Sequence, residues 1–238
     1  MKIIHKSVLL LKSENNEDKY DAALTDNGFL VKHIRTLEFR YINLEQLHSK
    51  IRSPDDYDGI IFTTPRSVKA LKEALANDIL DPKWSGKCNY VVGEATYDIL
   101  LKGLNLECRD KKKIKKPLLF PCGNLKTDIL IELLRNENIK VDEVTVYETV
   151  ASTSLEDDFI SVTSCYEEVP EFFAYFSPSG VNFTYSFLMK LQPILSKIKF
   201  IAIGPTTETA LKEKCLTVTE VAKKPTPRDL LAAILNCK

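Results

Sequence analysis

The sequence predicts an α/β protein of doubly wound architecture, built on mostly parallel sheet. Short apolar runs of buried-strand length alternate with amphipathic helical stretches along the chain. Two kinds of strand–helix unit each occur twice, and 238 residues suffice for one large domain or two small ones.

Ser7-Val8-Leu9-Leu10-Leu11 is the first buried strand. A helix over 18–25 follows, with Tyr20, Ala23 and Leu24 at helical spacing; Asn27-Gly28 stops it, and 29–34 is the next strand. This unit, a, returns at 117–147 as a′: Leu118-Leu119-Phe120, a helix with Ile129, Leu130, Leu133 and Leu134 apolar, a stop at 136–138, and the strand 141–146. Unit b opens at 57–62, an apolar strand running into Thr63-Thr64-Pro65-Arg66 and a helix start. Its copy b′ opens at 173–176 and runs into Ser177-Pro178-Ser179-Gly180. Downstream, Tyr90-Val91-Val92-Gly93-Glu94-Ala95-Thr96 parallels Ile201-Ala202-Ile203-Gly204-Pro205-Thr206-Thr207, each followed by an amphipathic helix and a short strand. Unit b′ then continues into a helix started by Pro225-Thr226-Pro227. After Glu107-Cys108, unit b offers only the lysine-rich 109–116, which has no apolar face, so one helix is expected to be missing there.

Composition excludes several classes. Lys+Arg and Asp+Glu number 33 each, so nothing favours a dedicated nucleic-acid or anionic-membrane binder, and 111–116 reads as a solvated connector. No apolar run approaches the roughly 18–20 residues that span a bilayer, and a soluble, unexported, cytoplasmic chain is expected. The six cysteines form no Cys-x-x-Cys pair and no histidine lies near them in sequence. Reduced thiols and no metal site are therefore expected. Neither Gly-x-x-x-x-Gly-Lys-Ser/Thr nor Gly-x-Gly-x-x-Gly occurs, and no Ser/His/Asp triad is visible. His5, His33 and His48 read as surface or strand residues.

The candidate chemistry sits at the strand ends. In open α/β sheets ligands bind beyond the carboxyl ends of the strands, where helix N-termini present N–H groups and partial positive charge. Thr63 and Thr64, Gly93 with Thr96, Ser177 with Ser179 and Gly180, and Thr206 with Thr207 occupy such ends; Cys122-Gly123-Asn124 supplies a fifth. Each hydroxyl is open to a simple N-cap role, but their recurrence suits an anion with several acidic arms. Arg66, the one cation inside such a turn, either pairs with an acidic ligand or stands solvated. Tyr147, ending the strand Val144-Thr145-Val146-Tyr147, either donates a proton or hydrogen bond to substrate or packs its ring at an interface.

Taken together, 8–12, 57–66, 90–96, 117–126, 145–150, 176–180, 203–207 and 225–227 resemble uroporphyrinogen-III synthases of the eukaryotic type, over nearly the whole chain. The resemblance implies two flavodoxin-like domains joined by a two-stranded linker: 1–35 with 153–238, and 41–145, connected by 36–40 and 146–152. The repeats alone pair unit a with b; the resemblance pairs a with b′ and b with a′, and that pairing is adopted. It further implies cyclisation of hydroxymethylbilane, a linear tetrapyrrole with eight carboxylates, to uroporphyrinogen III, with inversion of ring D and loss of water. That chemistry needs no metal or organic cofactor, no nucleic acid and no membrane, and a monomer is expected. Tyr147 becomes the candidate to assist departure of the hydroxyl, with the strand-end residues named above lining a cleft. The missing helix leaves an alternative open: a non-catalytic, two-lobed protein that captures a polycarboxylate or tetrapyrrole with a shortened second domain.

Overall fold

The computed structural model describes residues 1–13, 19–104, 106, 114–126 and 128–237. Its elements begin with β1 (Lys2–Lys12), α1 (Lys19–Thr25), β2 (Leu30–Arg35), β3 (Leu37–Tyr41), α2 (Leu44–Ile51), β4 (Gly59–Phe62) and α3 (Pro65–Leu75). They continue with β5 (Tyr90–Val91), α4 (Glu94–Leu104), β6 (Leu118–Gly123), α5 (Ile129–Asn136), β7 (Val141–Ala151) and α6 (Leu155–Val162). The last are β8 (Glu168–Tyr175), α7 (Pro178–Met189), β9 (Lys199–Ala202), α8 (Pro205–Glu213), β10 (Val218–Val221) and α9 (Pro227–Asn236). Two compact units result: Met1–Glu38 with Val150–Lys238, and Phe39–Thr149. The chain changes unit inside β3 and again inside β7.

The first unit is built on a sheet in the order β10-β9-β8-β1-β2, with every neighbour pair parallel. A parallel sheet is covered on both faces, so its central strands must be apolar on both. The run Val8-Leu9-Leu10-Leu11 is wholly buried, and the two-residue period sorts it. Leu9 and Leu11 join Phe173, Tyr175 and Phe200 against α6, α7 and α8 through Phe159, Val181, Leu188 and Leu211. Val8 and Leu10 join Phe172, Ala174 and Ile201 on the other face, against Leu24 of α1 and Leu230, Ala233 and Ile234 of α9.

The second unit has the order β3-β7-β6-β4-β5, and the pairs among β7, β6, β4 and β5 are parallel. Ile60, Phe62, Leu119, Val144 and Val146 pack with α2, α3 and α4, while Ile61, Leu118, Phe120 and Cys122 face α5 through Ile131. The expected missing helix falls mainly on 109–113, outside the described residues. Beside them, Ile114 packs on the α5 face, and the Lys115 and Lys116 backbone N–H groups donate to the Asp58 carboxylate at 2.6 and 2.7 Å.

Two helices escape the sequence pattern. Each has eight residues: α2 buries Leu47 and Ile51, and α6 buries Leu155 and Phe159. Trp84, in a short turn of 3-10 helix over Pro82–Gly86, is wholly buried beneath α2; its indole N–H donates to the Ile51 carbonyl at 2.8 Å and its ring stacks on Tyr57. Trp84→Phe leaves that carbonyl unpaired and opens a small void. It should lower stability by about 1–3 kcal/mol, read as a shifted midpoint in urea unfolding.

Candidate functional site

In the second unit the parallel strands end on one edge. There β4 delivers Thr63 and Thr64, β5 delivers Gly93, and β6 delivers Gly123 and Asn124. Thr64 caps α3: extended in backbone, it accepts the Ser67 N–H on its hydroxyl oxygen at 3.2 Å, with Pro65 at the first helical position. The same oxygen lies 3.2 Å from the Tyr147 hydroxyl, so the capping role does not exhaust it.

Tyr147 reaches this edge because β6 and β7 slip. Cys122 stands opposite Thr145, but Gly123 stands opposite Tyr147, so β7 carries one residue more over that interval. The phenol ring then lies on Gly123: a Cβ built there would fall 2.5 Å from ring carbons and 2.8 Å from the hydroxyl oxygen. Phe39 of β3 meets the ring edge-on, with centroids 6.4 Å apart. Tyr147 is accordingly only 8% exposed, its ring held on several sides and its hydroxyl turned toward Thr64.

Arg66 is half-buried in the first turn of α3. Its guanidinium lies over the Phe39 ring, 3.4 Å from the centroid. Among the described residues it makes no hydrogen bond or ion pair, which leaves its in-plane N–H donors available. Tyr41, two residues beyond Phe39, shares the neighbourhood. Burial, helped by the Glu73 charge, pushes its phenol up, and the Arg66 charge opposes that rise.

The other residues predicted for this edge differ in what they can offer. Gly93 adopts a positive φ of 85° and starts α4; Thr96, one turn on, is 2% exposed and turned into the fold. Cys122 is buried in the core beneath α5, where burial pushes its thiol up to about 11, so it is no thiolate. Asn124 is exposed, yet its side-chain oxygen accepts the Thr149 N–H at 2.9 Å and its own N–H donates to the Tyr147 carbonyl at 3.1 Å. It fastens β7 beside Tyr147.

The first unit gathers its hydroxyls at the corresponding edge. Ser177 caps α7 by accepting the Gly180 N–H at 3.1 Å, and Thr226 caps α9 by accepting the Asp229 N–H at 3.2 Å. Among the described residues no side chain caps α8, which starts at Gly204-Pro205, so its first-turn N–H groups are open to a ligand. Thr206 is exposed beside them, whereas Thr207 is 1% exposed and points inward. Ser179 is half-buried, and Gly180 lies so close to Thr36 that a Cβ would approach its hydroxyl to 3.1 Å. Sequence reasoning passed over Thr36, although it too is a hydroxyl at a strand end, after β2. It also passed over Phe39, for which a single sequence carries no signal. His48, expected at the surface or in a strand, lies on α2 with Asp78 2.9 Å away.

Among the described residues no cluster of three or more His, Cys, Asp and Glu could hold a metal ion, and no helix is long and apolar enough to cross a membrane. Fold and site therefore define a two-unit α/β protein that offers hydroxyls, a guanidinium and helix N-termini at the carboxyl ends of its strands. The family model described as "Uroporphyrinogen-III synthase HemD" matches residues 18–113 and 100–232, and the chain belongs to that family. It is 27% identical to the uroporphyrinogen-III synthase of Saccharomyces cerevisiae, over 95% of this chain and 94% of that one. The solved uroporphyrinogen-III synthetase of Helicobacter pylori shares the fold with a TM-score of 0.69 at 19% identity, covering 98% of this chain and 99% of that one. A mutant uroporphyrinogen III synthase from Thermus thermophilus gives 0.62 at 14% identity, covering 97% and 98%.

Proposed function

We propose that the protein is a cyclising lyase of porphyrin and heme biosynthesis, converting hydroxymethylbilane to uroporphyrinogen III. The observation that carries the mechanism is the pair Tyr147 and Arg66: a phenol seated at 3.2 Å from Thr64, and a cation with open N–H donors, on one strand-end edge. Family membership and the named yeast relative support the activity. The non-catalytic alternative rests on a shortened segment that falls mainly outside the described residues and has no other support.

In this mechanism Tyr147 donates a proton or hydrogen bond as the terminal hydroxyl leaves as water, and an azafulvene electrophile remains. The substituted carbon of ring D attacks it to form a spiro intermediate. Fragmentation of that intermediate and reclosure at the other carbon, with loss of a proton, give the inverted ring. Neither a nucleophilic side chain nor a cofactor takes part. The protein's task is to hold a flexible polyanion so that inverted closure outruns direct closure, which is catalysis by positioning. In the second unit Arg66 holds a carboxylate by charge-assisted hydrogen bonds, with hydroxyls and backbone N–H groups at Thr63, Thr64 and Gly93 beside it; in the first unit Ser177, Ser179 and Thr206 offer the same kinds of group to carboxylates. Cys122, Thr96, Thr207 and Gly180 support these turns from within. The same proposal has the protein working as a cytoplasmic monomer on this small molecule alone.

Two measurements bear on it. Added protein should accelerate the disappearance of fresh hydroxymethylbilane well beyond its spontaneous closure; an unchanged rate would overturn the proposal. Arg66→Ala should raise KM about tenfold with kcat within about twofold of wild type, since the lost contact serves ground and transition states alike. An unchanged KM would remove Arg66 from the substrate.

A further inference from the structure

Phe39 touches both Arg66 and Tyr147. Its ring carries the guanidinium on its face, 3.4 Å from the centroid, and meets the edge of the Tyr147 ring at an interplanar angle of 75°. It lies on β3, next to the strand that bears Tyr147, and only partly buried beside the core. An arginine stacked flat on an aromatic face keeps all five N–H donors pointing outward in the plane, where a carboxylate is met bidentately. Among the described residues no hydrogen bond or ion pair does this for Arg66. Phe39 is therefore the group that fixes the guanidinium plane, and it does so from a ring packed on the phenol.

We propose that Phe39 is a positioning residue for the cyclisation, a shared platform that fixes Arg66 relative to Tyr147 and so sets where one substrate carboxylate lies with respect to the hydroxyl donor. This rests on the function proposed above. Phe39 itself touches no reacting atom and acts through Arg66.

The test is a double-mutant cycle on the full chain, read by equilibrium binding of uroporphyrin III, an octacarboxylate probe, and by the KM for hydroxymethylbilane. Phe39→Leu keeps an apolar side chain but removes the aromatic face. It should weaken probe binding and raise KM by about five- to tenfold, with thermal unfolding close to wild type. In an Arg66→Met background the same change should cost less than about twofold, because the partner it positions is gone. Phe39→Trp, which restores a stacking face, should recover most of the loss. Full additivity of the Phe39→Leu and Arg66→Met losses would overturn the proposal. So would equal losses for Phe39→Leu and Phe39→Trp that track a lowered unfolding temperature, or a wild-type chain that does not bind uroporphyrin III. A wild type that binds the probe but does not turn over hydroxymethylbilane would overturn the synthase mechanism, and the binding cycle would still decide the role of Phe39.

Discussion

Replacing Tyr147 by Phe should lower kcat by about 10- to 1000-fold while KM stays within about twofold of wild type. The ring that packs on Gly123 and against Phe39 is retained, so the substitution removes one oxygen from an otherwise unchanged seat. Among the described residues that oxygen hydrogen-bonds only to Thr64, at 3.2 Å, a contact worth about 0.5–1.5 kcal/mol of stability. A drop in rate far beyond what so small a destabilisation explains therefore reports the chemistry. Leaving-group departure needs a proton or hydrogen bond in the transition state more than in the bound substrate, hence the effect on kcat. Stopped-assay kinetics with hydroxymethylbilane give both constants, and an unaltered kcat would remove the donor role.

Gly123→Ala should be nearly as damaging, through a different route. A methyl group at this position would sit 2.5 Å from two ring carbons of Tyr147, closer than van der Waals contact allows, and Gly123 lies in a wholly buried strand. The ring is the movable partner and must shift by on the order of 1 Å, a misplacement that costs about 100-fold in a positioned reaction. Overpacking should also lower stability by about 1–3 kcal/mol. Placed on top of Tyr147→Phe, the alanine should cost little further activity, because the hydroxyl it displaces is already absent. Wild-type kcat in the single variant would show that the seat is unimportant.

Much of the architecture follows from residue pattern because buried parallel strands are short, wholly apolar runs and helices between them show one apolar face. Val8-Leu9-Leu10-Leu11 and the hydroxyl-Pro turns at Thr64 and Ser177 are of this kind; the Pro fixes the first helical residue and the hydroxyl before it caps. The eight-residue helices α2 and α6 escaped because two turns display only one pair of apolar residues at four-residue spacing, Leu47 with Ile51 and Leu155 with Phe159. Within the site, helix phase was the hidden quantity. Thr206 and Thr207 are neighbours in sequence, yet the start at Pro205 sends the second inward and leaves the first exposed.

Gly123 illustrates a subtler loss. At a strand end it reads as a place for ligand to approach the backbone, but the slip between β6 and β7 fills that place with the Tyr147 ring. Such a register shift depends on both strands at once and leaves no mark on either alone. The stack of Arg66 on Phe39 joins residues 27 positions apart on different elements, and no local pattern encodes it.

Closure of the tetrapyrrole with ring D inverted is the reaction proposed for this chain. It is tested most directly by incubating the purified protein with fresh hydroxymethylbilane, oxidising the products and separating the type III and type I uroporphyrins by chromatography. Type III well in excess of type I, against a protein-free control that gives type I, is the predicted result. Type I alone from a folded sample would contradict the account.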